Sequence, residues 1–185
     1  MNSLHQRLAA RALRRGGLVA YASEAVWGLG CQPEHEPALR RLLKLKRRPA
    51  HKGLIVVAAA LEQVRPLLLP LPPETLSTIA QTWPGPHTWL LPVKPSVTRL
   101  LRGRHDTLAV RVTAHPALRA LCQQVGPIVS TSANQAGRPP ARSSLAVRRV
   151  VGSGRGAGID YLLPGPTGGL ARPTPIRDAR SGIIV

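Results

Sequence analysis

Short apolar runs alternate with segments of helical spacing along this chain, and that alternation is the strongest constraint on its fold. Leu54-Ile55-Val56-Val57-Ala58 carries no polar residue and has the length of a buried strand. The segment before it, residues 36–46, places Leu39, Leu42, Leu43 and Lys46 at helical intervals and stops ahead of Pro49. The same reading predicts a helix over 3–15, closed by Gly16-Gly17, and helices near 60–68, 73–82, 115–124 and 143–150. It predicts strands at 18–21, 88–93, 107–112 and 127–130, and terminal strands near 160–163 and 182–185. Ser23 to Gly30 reads as a Gly-containing turn, Trp83-Pro84-Gly85-Pro86 as a rigid turn, and 94–106 as a basic loop. Strands alternating with helices predict an α/β fold. The 185 residues fit a single domain over 1–185. Such a chain buries about two-thirds of its unfolded surface and needs no metal or disulfide staple.

Charge bears on the partners. Twenty-six basic against 8 acidic residues give a formal net charge of +18. Such an excess attracts polyanions, and either RNA or a nucleotide polyphosphate fits. Lysine occurs only at Lys44, Lys46, Lys52 and Lys94, so the charge is mostly arginine. Richness in Arg, Ala, Pro and Leu is also what a biased genome produces. The absence of Phe argues against a stacking platform for single strands. Cys31 and Cys122 are far apart and suit a reducing cytosol, each as a small buried hydrophobe. The first helix is followed by no signal-peptide core, and no apolar run reaches the length of a membrane span. A soluble, cytoplasmic protein is expected, with no membrane partner.

Four segments could carry chemistry. Lys44-Leu45-Lys46-Arg47-Arg48-Pro49-Ala50-His51-Lys52-Gly53 ends a helix. Cations there suit the helix dipole, and they equally suit a phosphate clamp. Ser130-Thr131-Ser132-Ala133-Asn134 follows a buried strand, where α/β sheets bind ligands, although a plain Ser/Asn turn has the same composition. In Ser23-Glu24-Ala25-Val26-Trp27-Gly28-Leu29-Gly30 the glycines permit close backbone approach, and Glu24 is a candidate for a metal or amine contact. Arg111 sits inside the apolar strand Thr107–Val112 and needs an anion, either from a ligand or from one of the few acids. His87 is the histidine placed most interestingly, after Pro86. There is no P-loop, HExxH, zinc spacing or GxSxG.

In this order, the segments resemble the YrdC/Sua5 family over nearly the whole chain. The anchors are Gly17-Leu-Val-Ala-Tyr21 with Ser23-Glu-Ala-Val-Trp-Gly-Leu-Gly-Cys31, Leu45-Lys-Arg-Arg-Pro49 with Lys52-Gly-Leu-Ile55, Trp83-Pro-Gly-Pro86, Leu108-Ala-Val-Arg111, and Ser130-Thr-Ser-Ala-Asn134 with Gly137. The resemblance is strongest to the short bacterial form. It implies a single-domain twisted open mixed sheet flanked by helices, with a basic concave face. The implied activity makes threonylcarbamoyl-adenylate and pyrophosphate from L-threonine, bicarbonate or CO2, and ATP, with Mg²⁺. Downstream tRNA threonylcarbamoyl transferase proteins then modify adenosine 37 of tRNAs reading codons that start with A. By resemblance, Lys46, Arg48, Ser132 and Asn134 form the catalytic ATP site, joined by Lys52 and Thr107. Ser23, Arg111 and Thr174 bind threonine, and no residue is assigned to a metal. Two departures stand out. Ala22-Ser23 replaces the family's Pro-Thr, keeping the hydroxyl without the rigid Pro. The chain ends at Ser181-Gly-Ile-Ile-Val185, where many members carry an Arg- and Gly-containing tail that supplies a nucleotide contact. Two other readings compete. One is a non-catalytic module binding tRNA or double-stranded RNA. The other is a relative acting on a different carbamoyl-adenylate, as in hydrogenase maturation, although the acylphosphatase and zinc-finger segments expected there are absent.

Overall fold

The computed structural model describes residues 3–151 and 158–184. Helix α1 (Ser3–Arg14) leads into β1 (Val19–Ala22) and β2 (Trp27–Gly30). Then come α2 (Glu36–Lys46), β3 (Ile55–Ala58), α3 (Pro73–Ala80), β4 (Thr88–Pro92), α4 (Arg99–Arg102), β5 (Thr107–Val112), α5 (Pro116–Val125) and β6 (Ile128–Ser132). The chain closes with α6 (Ser144–Val151), β7 (Tyr161–Leu163) and β8 (Ile176–Asp178). All eight strands join one mixed sheet in the order β7-β1-β2-β6-β3-β5-β4-β8. The α/β expectation therefore holds.

Four local expectations are corrected. Trp27–Gly30 is a strand, and only Ser23–Val26 turns. Gly28 and Gly30 belong to β2 because the Tyr21 ring on β1 lies against them. A Cβ on Gly28 would stand 2.8 Å from the ring, and one on Gly30 would stand 2.1 Å from the Val129 carbonyl. Residues 60–68 form two 3-10 turns, Leu61–Gln63 and Arg65–Leu67, because Pro66 interrupts helical bonding. The basic loop 94–106 contains α4, capped by the Thr98 hydroxyl. The last strand is Ile176–Asp178. Ile184 makes one isolated bridge to Arg177, and Val185 lies outside the described residues.

Side chains alternate across the strands and divide the sheet into two unequal faces. On one face Val56, Ala58, Leu108, Val110, Trp89 and Leu91 pack under α2, α3, α4 and α6. On the other, Val19, Tyr21, Val57 and Ile128 pack under α1 and α5. Two helices do not cover that second face. Its remainder displays Gly28, Ser130, Ser132, Ile55, Thr107, Ala109 and Arg111, and these line open cavities.

The glycine requirement in β2 is testable. Gly30→Ala is expected to lower unfolding free energy by about 2–3 kcal/mol, measured as a shift in denaturant midpoint. A variant as stable as the parent contradicts the close packing of Tyr21, Gly30 and Val129.

Candidate active site

The bare part of the sheet is bounded at one end by the β1–β2 turn. The Ser23 hydroxyl donates to the Val26 carbonyl at 2.7 Å and the Ser23 amide to the same oxygen at 3.2 Å, which fixes the turn. The Ser23 hydroxyl oxygen keeps its lone pairs for a ligand. A strap formed by residues 164–175 runs over this turn. The Gly168 amide donates to the Ser23 carbonyl at 2.9 Å, and the Leu170 amide to the Glu24 carbonyl at 3.1 Å. The strap brings Thr174 above β5, and there Arg111 Nη1 donates to Thr174 Oγ1 at 2.8 Å.

Arg111 is 5% exposed and Glu24 is 6% exposed. Arg111 Nη2 lies 3.3 Å from Glu24 Oε2, and Thr113 Oγ1 donates to Glu24 Oε1 at 2.6 Å. The anionic partner that Arg111 requires is thus Glu24, a buried carboxylate rather than a solvated one. The guanidinium is not saturated: Nε has no partner, and Arg111 lines the cavity beside Ser23 and Thr174.

The opposite wall is built from the end of α2 and the end of β6. Leu39, Leu42 and Leu43 bury one side of α2, and the same periodicity turns Lys46 inward, leaving it 4% exposed. Its ammonium donates to the Ser132 carbonyl, the Asn134 carbonyl at 2.7 Å and Asn134 Oδ1 at 2.8 Å. Ser132 Oγ donates to the same Oδ1 at 2.7 Å, and the Ala136 amide returns to the Lys46 carbonyl at 3.1 Å. Arg47 then ends the helix in the left-handed region at φ 49°, with the Arg47 amide on the Lys44 carbonyl and the Arg48 amide on the Leu43 carbonyl. This helix stop usually uses glycine. It reverses the chain so that Lys46 points back into the protein while Arg48 faces the cleft, braced by its Nε on the Gly53 carbonyl at 3.1 Å.

The cleft has two halves. A cavity of about 280 Å³ is lined by Ser23, Gly28, Arg48, Arg111, Ser132 and Thr174, among others. A neighbouring one of about 170 Å³ is lined by Arg48, Lys52, Thr107, Arg102 and His105. Arg48, Leu54, Ile55 and Ile176 border both. The structure therefore gathers Ser23, Arg48, Arg111, Ser132 and Thr174 in one half, and Lys52 and Thr107 in the other. Lys46 and Asn134 line neither half and instead hold the wall behind Ser132. His87 also lines neither. Sequence reasoning missed Arg102 and His105, which sit in the stretch read only as a basic loop. It also missed Thr113, although its spacing of two from Arg111 was a usable signal.

The lining cations make the cleft electropositive. Burial, and then the nearby Arg48 charge, lower the Lys46 ammonium to about 8. Burial also lowers the Arg48 guanidinium, which stays charged. The Cys31 and Cys122 thiols are buried and pushed up to about 12, so they act as small hydrophobes. Among the described residues no group of three His, Cys, Asp or Glu side chains could hold a metal ion.

A family model named for Sua5, YciO and YrdC, and described as "Telomere recombination", matches residues 11–183. A threonylcarbamoyl-AMP synthase of Nitrosococcus oceani is 54% identical over 177 residues, covering 95% of this chain and 94% of that one. One from Halorhodospira halophila is 55% identical, covering 95% of this chain and 91% of its own. Among solved structures, Sua5 of P. abyssi complexed with L-threonine superposes with a TM-score of 0.88 at 33% identity. It covers 96% of this chain, which spans 52% of that longer one.

The buried Lys46 predicts two effects of opposite sign. Binding of inorganic pyrophosphate should weaken as pH rises through about 8, because the wall behind Ser132 loses its positive charge. Stability should move the other way. The folded value lies below that of an unfolded lysine, so between the two the folded state holds fewer protons and gains stability with rising pH. Titration calorimetry and denaturant melts on either side of that value check both signs. Pyrophosphate affinity that is unchanged across it contradicts the assignment.

Proposed function

The chain belongs to the Sua5/YciO/YrdC family, and from that premise we propose that its cleft makes threonylcarbamoyl-adenylate and pyrophosphate from L-threonine, bicarbonate or CO2, and ATP. The observation that carries this reading is the buried, unsaturated Arg111 set between Ser23 and Thr174, with Arg48 bordering both halves of the cleft. A guanidinium held this way suits an amino-acid carboxylate. The second half, with Lys52, Thr107 and Arg48, suits a nucleotide polyphosphate.

The chemistry needs no covalent protein intermediate. The threonine amine adds to CO2 and loses a proton, giving a carbamate. A carbamate oxygen attacks the α-phosphorus of ATP, and the bond to the bridging oxygen breaks as pyrophosphate leaves. The protein's work is positioning and charge stabilisation. Arg111 and Thr174 fix the threonine carboxylate, and the Ser23 oxygen accepts from its hydroxyl or amine. Arg48 and Lys52 face the phosphates, and Thr107 offers a hydroxyl proton to them. The Ser132 proton goes to Asn134 Oδ1, so its oxygen can accept only, from a ribose hydroxyl for example. Lys46 acts through the wall it holds, adding its charge behind Ser132 and Asn134. Mg²⁺, if brought in with ATP, would supply screening of the phosphate charge, and no described cluster of side chains would hold it. Glu24, the buried carboxylate behind Arg111, is already engaged by Arg111 and Thr113.

The product is labile and must pass to tRNA threonylcarbamoyl transferase proteins. This role implies a cytoplasmic enzyme working as one domain over residues 1–185. The net charge of +18 supports tRNA or double-stranded RNA as a further partner on the basic face. No helix among the described residues is long and apolar enough to cross a membrane.

Threonine-dependent pyrophosphate release from ATP in bicarbonate tests the reading, and no release by the parent chain overturns it. Arg48→Ala should raise KM for ATP by about tenfold or more, the loss of one charge-assisted contact. Arg111→Lys should raise KM for threonine instead while keeping a cation beside Glu24. Equal losses toward both substrates in both variants contradict the division of the cleft.

A further inference from the structure

Thr113 lies one residue beyond β5, and its amide continues the sheet by donating to the Ala58 carbonyl at 3.0 Å. It stands two residues from Arg111, so both side chains share the face of the cleft. It is fully buried. Its hydroxyl oxygen accepts from the His115 amide at 3.1 Å. Its single proton goes to Glu24 Oε1 at 2.6 Å. An ionised carboxylate has no proton to give back, so the direction of this bond is fixed.

The contact decides how Glu24 meets Arg111. A carboxylate facing a guanidinium gains most by the two-pronged fork. Here only Oε2 faces Arg111, at 3.3 Å, and Oε2 makes no hydrogen bond of good geometry. Oε1 takes the Thr113 proton, and no hydrogen bond joins it to Arg111. Arg111 has five donor hydrogens. One serves Thr174, one side meets Glu24, and Nε has no partner.

We infer that Thr113 is a positioning residue for substrate recognition: it restrains Glu24 to one oxygen on Arg111 and so leaves guanidinium donors for the substrate carboxylate. This rests on the proposed threonine site. Without the hydroxyl, Glu24 Oε1 is buried and unpaired, and it turns onto Arg111. The substrate carboxylate then competes with one already tethered beside the guanidinium.

Thr113→Val keeps the shape and removes the hydroxyl. It is expected to raise both the threonine KM and the calorimetric Kd about tenfold, the weight of one buried contact to a charged group. The ATP KM and kcat should stay within about twofold, because a loss of uniform binding leaves kcat unchanged. Thr113→Ser should restore threonine affinity. If the valine variant does not fold, Thr113→Ala carries the same expectation. Unchanged threonine affinity overturns the inference, as does a parallel loss for ATP and threonine that serine does not restore. Absence of threonine binding in the parent chain overturns the proposed function, and this inference with it.

Discussion

The buried pair of Arg111 and Glu24 is the constraint around which the cleft is arranged. Removing two charges from water costs several kcal/mol per ion unless geometry and further hydrogen bonds compensate. Glu24 has help from Thr113 and Arg111 from Thr174, yet Arg111 Nε is left without a partner. A site optimised only for stability would fill that position with apolar side chains. The pair persists beside a part of the sheet that no helix among the described residues covers, next to a cavity bordered by the hydroxyls of Ser23, Ser130, Thr131, Ser132 and Thr174. Three separate segments depend on it: the Ser23–Val26 turn, β5, and the strap that carries Thr174.

A second buried charge organises the opposite wall. Lys46 uses all three ammonium hydrogens on the β6 end and the loop after it. The cations of this region therefore divide by role. Lys46 and Arg111 are buried and hold backbone or carboxylate in place. Arg48 and Lys52 stand at the cleft with donors available. The left-handed Arg47 makes this possible, since it reverses direction between one cation and the next. The left-handed conformation costs roughly 1–2 kcal/mol at a non-glycine residue.

Much of this was legible in the sequence, for physical reasons. Helix 36–46 shows the helical period, and strands 54–58 and 107–112 show as apolar runs, because each is packed against a helix or strand on a buried face. Strand β2 was hidden because Gly28 and Gly30 look like turn residues, and only the Tyr21 ring across the sheet explains them. Strand β8 was hidden because it is three residues long and pairs along one edge. At the site, the ordered motifs single out Ser23, Arg48, Lys52, Thr107, Arg111, Ser132 and Thr174, which line the two cavities, together with Lys46 and Asn134, which do not. What they could not show was which partner each one holds. Arg111 needed an anion, and that anion is 87 positions earlier in the chain. Lys46 reads as a phosphate ligand from its cation cluster and the resemblance, and its hold on Asn134, 88 positions later, shows only in the fold.

The arrangement around Arg111 is tested by a crystal structure of the chain with L-threonine and a non-hydrolysable ATP analogue bound together. The threonine carboxylate is expected on Arg111, beside Ser23 and Thr174, with Glu24 still held by Thr113. The phosphates are expected on Arg48 and Lys52, with Lys46 unmoved in the wall. Threonine bound elsewhere while Glu24 closes both oxygens on Arg111 contradicts this arrangement, and so do phosphates placed away from Arg48.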